Sequence, residues 1–83
     1  MSMPEINDKI PLEEIQKWQK KLDGVLEGLT PTSEKTEHYF KNIKAYREDS
    51  NHFLEKGDYM RAFEAVIWAW AWYEIGQNEG LFD

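Results

Sequence analysis

Arg47 and His52 are the residues of this sequence whose types could act chemically on a substrate. A histidine can serve as a general acid or base, and an arginine can hold a phosphate group. The two lie five positions apart, so two facing protomers could bring both groups to a nucleic-acid backbone. However, Glu48 and Asp49 stand beside them, and a net charge of −6 opposes binding to phosphates. We therefore predict no ribonuclease activity, and keep nucleic-acid processing by Arg47 and His52 across a dimer as the alternative function.

Two glutamate–histidine pairs have a spacing that can place both side chains on one face of a helix. They are Glu34 with His38 and Glu48 with His52. The pairs are offset by 14 positions, or about 21 Å along a helix, so one chain cannot merge them into a single metal site. The sequence also lacks a nucleophile elbow and a phosphate-binding glycine loop. We predict no metal, no cofactor and no enzymatic activity.

The composition is that of one small, acidic domain. A chain of 83 residues supports a single core, and 41% hydrophobic content is sufficient to form it. The absence of cysteine excludes a disulfide framework and suits a reducing compartment. The first ten residues do not form a signal peptide, and the run from Ala62 to Tyr73 is too short to span a bilayer. We expect a soluble, cytoplasmic protein that binds neither nucleic acid nor membrane.

The first helix is predicted to follow a flexible N-terminal arm of residues 1–10, leaving residues 11–83 as the folded domain. Pro11 suits the first position of a helix, where its missing N–H is not needed. Gly24 and Gly28 weaken the end of this helix, through fraying or by permitting a close helix crossing. A single apolar seam follows a 3-4-3-4 spacing at Ile15, Trp18, Leu22, Val25 and Leu29.

The second helix is predicted to begin at Thr30-Pro31, with Thr30 as the N-cap, and to end near Lys56. Gly57 suits the left-handed residue that ends a helix, and Asp58 can cap the next helix at once. So short a connection predicts an antiparallel hairpin. The seam of this second helix lies at Tyr39, Ile43, Tyr46, Ser50 and Phe53. The fold class is therefore all-α, a three-helix up-down-up bundle with a tight hairpin between helices 2 and 3.

The third helix, between Gly57 and Gly76, carries apolar residues around most of its circumference. We predict a core seam on this helix at Tyr59, Phe63, Val66, Ile67, Trp70 and Tyr73. Trp68 and Trp72 point almost the opposite way, and two interpretations of them stay open. Helix 1 or the tail, through Leu81 and Phe82, covers these rings, or they form a contact patch for a partner. We take the second, and predict an interface of Arg61, Glu64, Trp68, Trp72, Ile75 and Phe82.

These features favour a non-enzymatic protein-interaction or oligomerisation module. Its partner would be a second copy of the chain, forming a dimer, or another protein.

The helical hairpin resembles two known patterns. The run from Tyr46 to Ala69 resembles one tetratricopeptide hairpin, although Asp49 and Glu74 depart from that repeat. No second copy follows, so we reject a solenoid and attribute the likeness to alanines that let two helices approach closely.

The sequence from about Tyr39 to Phe82 is similar to archaeal domain-of-unknown-function family 357. The likeness rests on a second helix rich in tyrosine and phenylalanine, on the run FLEKGDYMRAFEAVIWAWAW, and on the tail Gly80-Leu81-Phe82. The resemblance implies a three-helix bundle in an archaeal cytoplasm. It carries over no catalytic residues.

Overall fold

A computed structural model describes residues 10–82 of the chain as three helices. They are α1 (Leu12–Glu27), α2 (Glu34–Glu55) and α3 (Tyr59–Asn78). No strand occurs within this part of the chain, so the predicted all-α, three-helix class is confirmed. The predicted N-terminal arm lies, except for Ile10, outside the described residues. No helix among residues 10–82 is long and apolar enough to cross a membrane.

The connection between α2 and α3 has the predicted geometry. Gly57 has a φ of 76°, which is the left-handed conformation that glycine adopts without strain. The Asp58 N–H donates to the Phe53 carbonyl at 2.8 Å, and the Gly57 N–H donates to the Leu54 carbonyl at 3.0 Å. This pair of bonds ends α2 in a Schellman motif. The Asp58 carboxylate then accepts from the Arg61 N–H at 3.1 Å, so Asp58 caps α3 as predicted.

The starts of α1 and α2 differ from the predicted ones. Ser33, and not Thr30, is the N-cap of α2, because its hydroxyl accepts from the Thr36 N–H at 3.1 Å. Thr30 and Pro31 belong to the linker that precedes it. Pro11 is the N-cap of α1 and not its first helical residue, so the helix begins one residue later than predicted. The Pro11 carbonyl accepts from the Glu14 N–H at 3.0 Å.

The core lies where α1, α2 and α3 meet. Ile15 and Leu22 from α1 are fully buried with Ile43 from α2 and Val66 from α3. The predicted seams of α1 and α2 therefore face the core. A β-carbon added at Gly24 would meet nothing within 4 Å, so this glycine does not mediate a close helix crossing.

The most deeply buried residues of α3 are mostly small, and the predicted seam of bulky residues is confirmed only in part. The buried residues are Ala62, Ala65, Val66, Ala69 and Gly76, of which Val66 belongs to the predicted seam. Phe63, Trp70 and Tyr73 of that seam are partly buried and pack against the core, whereas Ile67 is 42% exposed. Small side chains reduce the distance at which two helices pack, so α2 lies close against this face. The bulky residues of α3 are displaced to its flanks.

One polar contact inside the core joins all three helices. The fully buried Ser50 hydroxyl of α2 donates to the Ala62 carbonyl of α3 at 2.7 Å. The same hydroxyl accepts from the Gln19 side-chain amide of α1 at 2.8 Å. A buried hydroxyl without a partner is costly, whereas this one is satisfied in both directions. The contact fixes where α1 lies along the hairpin.

Gly76 does not end α3, contrary to the prediction. The helix continues to Asn78, and Gly80, with a φ of 75°, is the residue that ends it. The Leu81 N–H donates back to the Gly76 carbonyl at 2.9 Å and turns the tail toward the helix. The ring of Phe82 then lies against the bare backbone of Gly76. The glycine at position 76 is therefore a packing site.

Candidate interaction surface on helix α3

One flank of α3 packs against α1 through two tryptophans. The rings of Trp18 and Trp70 meet edge to face, with centroids 6.0 Å apart and planes at 87°. The Trp70 indole N–H donates to the Trp18 carbonyl at 3.2 Å. Trp70 also meets the ring of Tyr73 edge to face at 5.9 Å. This flank is part of the intramolecular packing, as predicted for Trp70.

The other flank of α3 packs against α2. The ring of Trp72 meets that of Tyr39 edge to face, with centroids 5.4 Å apart, and Trp72 is partly buried. Tyr39 also contacts the ring of Phe82, at 6.5 Å. Trp72 therefore packs within the chain, and it does not share one exposed patch with Trp68 as predicted.

Trp68 remains largely exposed. Its ring stacks on that of Tyr46 with centroids 6.4 Å apart and planes at 22°, yet 57% of the residue's surface is open to solvent. Ile67 and Ile75 are 42% and 44% exposed on the same side of the helix, and Ala71 lies between them. Residues three, four and seven positions apart share one helical face. We call Ile67, Trp68, Ala71 and Ile75 the outer face of α3.

The remaining predicted interface residues divide between the surface and the core. Arg61 and Glu64 are exposed on α3, and the Arg61 guanidinium lies 3.6 Å from the Asp58 carboxylate. Phe82, by contrast, is buried against Gly76, so its assignment to an interface is wrong. The Schellman turn at the end of α3 directs the tail inward, and the tail covers Gly76 rather than Trp68.

A groove between α1 and α3 adjoins the outer face. It has a volume of about 310 Å³ and is lined by Trp18, Ile67, Trp70, Ala71 and Glu74. Both indole N–H groups are satisfied within the chain, because Trp18 donates to the Glu14 carboxylate at 3.0 Å and Trp70 to the Trp18 carbonyl. The two rings therefore present apolar surface to any occupant. The sequence does not reveal this groove, because its walls come from α1 and α3 and no local sequence pattern specifies how these two helices pack.

The basic residues on α1 give the groove an uneven charge. The ammonium groups of Lys17 and Lys21 lie 5.5 and 4.9 Å from the centre of the Trp18 ring. Glu74 lines the opposite wall, and Glu64 is exposed on the face of α3 that carries Ile67 and Trp68, one turn before them. The groove consequently has a basic edge on α1 and an acidic edge on α3.

Arg47 and His52, the candidates for nucleic-acid chemistry, lie on α2 away from this groove. The Arg47 guanidinium donates twice to the Asp23 carboxylate, at 2.8 and 2.9 Å, and once to the Asn51 side-chain carbonyl at 2.9 Å. A bidentate pair of this kind uses the donors that would grip a phosphate. His52 is exposed. Arg47 thus serves as a link between α2 and α1.

The glutamate–histidine pairs stay on the surface of α2. Glu34 and His38 lie beside Lys41 in a shallow depression, and Glu48 and His52 are exposed. Within residues 10–82, no three histidine or carboxylate side chains come together in an arrangement that could hold a metal ion.

The chain matches a known protein family over most of its length. The model of the family described as "Protein of unknown function (DUF357)" matches residues 17–82, and the chain belongs to this family. A solved structure, that of protein AF1782 from Archaeoglobus fulgidus in the same family, is 42% identical in sequence. The likeness covers 86% of this chain and 88% of that one, with a TM-score of 0.75. No curated protein matches the chain.

Proposed function

We propose that this DUF357 protein is a non-enzymatic interaction module that binds a protein partner through the outer face of α3. The partner is a second copy of the chain or another protein. The module contributes a rigid apolar helix surface to the complex, and no bond is made or broken.

The observation that carries this proposal is the clustering of exposed apolar residues. Four large hydrophobic residues are exposed within the described part of the chain, namely Leu12, Ile67, Trp68 and Ile75. Three of the four belong to the outer face of α3. Single exposed apolar residues are ordinary, whereas a contiguous group on one rigid element is typical of a binding surface. Tryptophan is also enriched among the residues that contribute most to protein–protein binding.

Packing within the chain accounts for the rest of the apolar surface of α3. The alanine face contacts α2, Trp70 contacts α1, and Trp72 contacts Tyr39. The outer face is the sector that α1 and α2 leave largely uncovered, with the stack of Trp68 on Tyr46 as its contact to α2. The exposed apolar atoms of this face remain in contact with water in the folded monomer. Burying them against a partner would therefore stabilise the complex by roughly 25 cal/mol per Å² of apolar surface.

The contacts of Arg47 do not favour the alternative function, nucleic-acid processing. Arg47, which would hold a phosphate, is bound to Asp23 and Asn51. We therefore carry forward the interaction module alone.

Two tryptophan variants test the proposal, because Trp70 packs within the chain whereas Trp68 is largely exposed. Trp68→Ala should cost only about 1 kcal/mol of stability, for the lost stack on Tyr46, and lower the midpoint by roughly 4–8 °C. It should weaken association at least tenfold, as expected of an interface tryptophan. Trp70→Ala should instead destabilise the fold, by about 3 kcal/mol. Circular dichroism melts and sedimentation velocity over a range of concentrations measure the two effects.

The two measurements can contradict the proposal separately. Comparable destabilisation by both variants would show that Trp68 belongs to the core. A wild-type protein that is monomeric at every concentration would exclude a second copy as the partner.

A further inference from the structure

We infer that the partner bound at the outer face is an amphipathic helix with a row of cationic side chains. Its apolar residues would occupy the groove between α1 and α3, and its cations would lie along the acidic edge. The inference rests on the proposed function and names the partner's chemistry.

The size and lining of the groove suit protruding apolar side chains. Its volume of about 310 Å³ is at the small end of ligand pockets, which leaves room for one or two side chains. The indole N–H groups in its walls are already bonded within the chain, so a polar ligand would find few partners there. A helix that projects residues at positions i, i+3, i+4 and i+7 could fill the groove and cover the outer face together.

The area of the outer face favours a short helix over a second copy of the chain. Ile67, Trp68 and Ile75 are 42%, 57% and 44% exposed, which together amounts to roughly 300 Å² of accessible surface. A stable dimer usually buries about 800 Å² on each partner. The apolar area of the outer face therefore fits one helix of a few turns, whereas a second copy would have to bury additional, more polar surface around it.

The negative charges near the outer face favour a cationic helix as the partner. Glu64 is exposed at the N-terminal end of the outer face and Glu74 at the groove, and among the described residues neither takes part in an ion pair. The whole chain carries a net charge of −6, which repels a second copy and attracts a basic partner. Lys17 and Lys21 occupy the opposite edge, next to Trp18. Glu14 offsets one of these two charges, since it lies 3.9 Å from the Lys17 ammonium, and the remaining positive charge disfavours cations placed there. The cationic row of the partner must therefore run along α3.

Two synthetic peptides test the inference with the full-length protein. Both are helices of about five turns with leucines at i, i+3, i+4 and i+7. One carries lysines and the other glutamates along the flanks of the apolar stripe. Titration at low salt, followed by the fluorescence anisotropy of a labelled peptide, should show that the lysine peptide binds more tightly, by roughly fivefold or more.

Three protein variants locate the binding. Glu74→Lys should weaken binding of the lysine peptide and strengthen binding of the glutamate peptide. Glu48→Lys makes the same charge change on α2, at an exposed position away from the groove, and should have little effect. Ile67→Ser removes part of the groove wall and should weaken both peptides, while circular dichroism confirms that the variant stays folded.

Several results would overturn the inference. These are equal affinity for the two peptides, equal effects of Glu74→Lys and Glu48→Lys, and no binding of either peptide at about millimolar concentration. If neither peptide binds but association of the protein still depends on Trp68, the cationic helix is wrong and the interaction module stands. If the dependence on Trp68 is also absent, both are wrong.

Discussion

Replacing Gly76 by alanine should destabilise this protein, although the same change inside most helices is stabilising. The reason is the ring of Phe82, which lies against the Gly76 backbone. A β-carbon at position 76 would overlap Cε2 of the Phe82 ring and approach Cδ2 to 2.8 Å. Real β-carbon contacts are almost never this short, so the ring would have to leave its site.

The change in the free energy of unfolding combines a gain in helix propensity with a larger loss of Phe82 packing. Alanine is favoured over glycine in a helix by about 1 kcal/mol. Phe82 is only 6% exposed, and returning a buried phenylalanine to water costs about 1.5–3 kcal/mol. Displacement also breaks its ring contacts with Tyr39 and Tyr73, at 6.5 and 5.7 Å, each worth roughly 0.5–1.5 kcal/mol. We expect a net destabilisation of about 3 kcal/mol, or a midpoint lowered by roughly 15 °C for a domain of this size.

Gly24→Ala supplies the matched control for Gly76→Ala. Gly24 also lies inside a helix, but an added β-carbon there meets nothing within 4 Å. Thermal and urea denaturation should therefore show stabilisation of up to about 1 kcal/mol at position 24. In a Phe82→Ala background, Gly76→Ala should become stabilising as well, because the obstructing ring is absent. Stabilisation by Gly76→Ala in the wild-type background would refute the contact with Phe82.

Ser50→Ala should cost about 2 kcal/mol in urea denaturation, since it removes the bond to the Ala62 carbonyl and leaves the buried Gln19 amide with only the longer contact to Asn51, at 3.4 Å. Adding Gln19→Leu to the Ser50→Ala variant should recover part of the lost stability, because it removes the buried amide. If no stability is recovered, the Gln19–Ser50 hydrogen bond is not the cause of the loss. Gly57→Val should cost about 1 kcal/mol or more, because a β-branched residue resists the φ of 76° found there. Gly57→Asn, which tolerates this conformation, should cost less, and an equal cost for both would point to a cause other than φ.

The helical hairpin could be predicted because its signals are local. Gly57 and Asp58 follow one another, and each acts through its own backbone or side chain on the adjacent turn. The predicted start of α2 was wrong by three residues, because Thr30-Pro31 has the local signature of a helix start but does not begin the helix. The structure selects Ser33, whose side chain reaches the Thr36 N–H.

Among the buried residues of α3, periodicity predicted only Val66. Periodicity detects a contrast between apolar and polar sides, and α3 is apolar on most of its circumference. The residues that decide its packing are small ones, which a search for large hydrophobic residues ranks last. Ala62 and Ala69 are fully buried for this reason, while Ile67 is exposed.

The candidate surface was predicted in part. Trp68 and Ile75 lie on the exposed side of α3 as expected from helical angles. Trp72 has a similar angle but packs against Tyr39, a contact that depends on the distance to α2 and not on α3 alone. Phe82 reaches the core through a turn at Gly80, which no pattern within the helix reveals.

Site-specific photocrosslinking tests the binding role of the outer face most directly. A photoreactive benzophenone side chain is placed at Ile75, which is 44% exposed, or at Glu48, an exposed control position on α2. After irradiation in native cells, mass spectrometry identifies any protein joined to each variant. We predict a defined adduct from position 75, with a second copy or another protein, and none from position 48. Equal yields from the two positions, or no adduct from position 75, would contradict the assignment of the outer face as a binding surface.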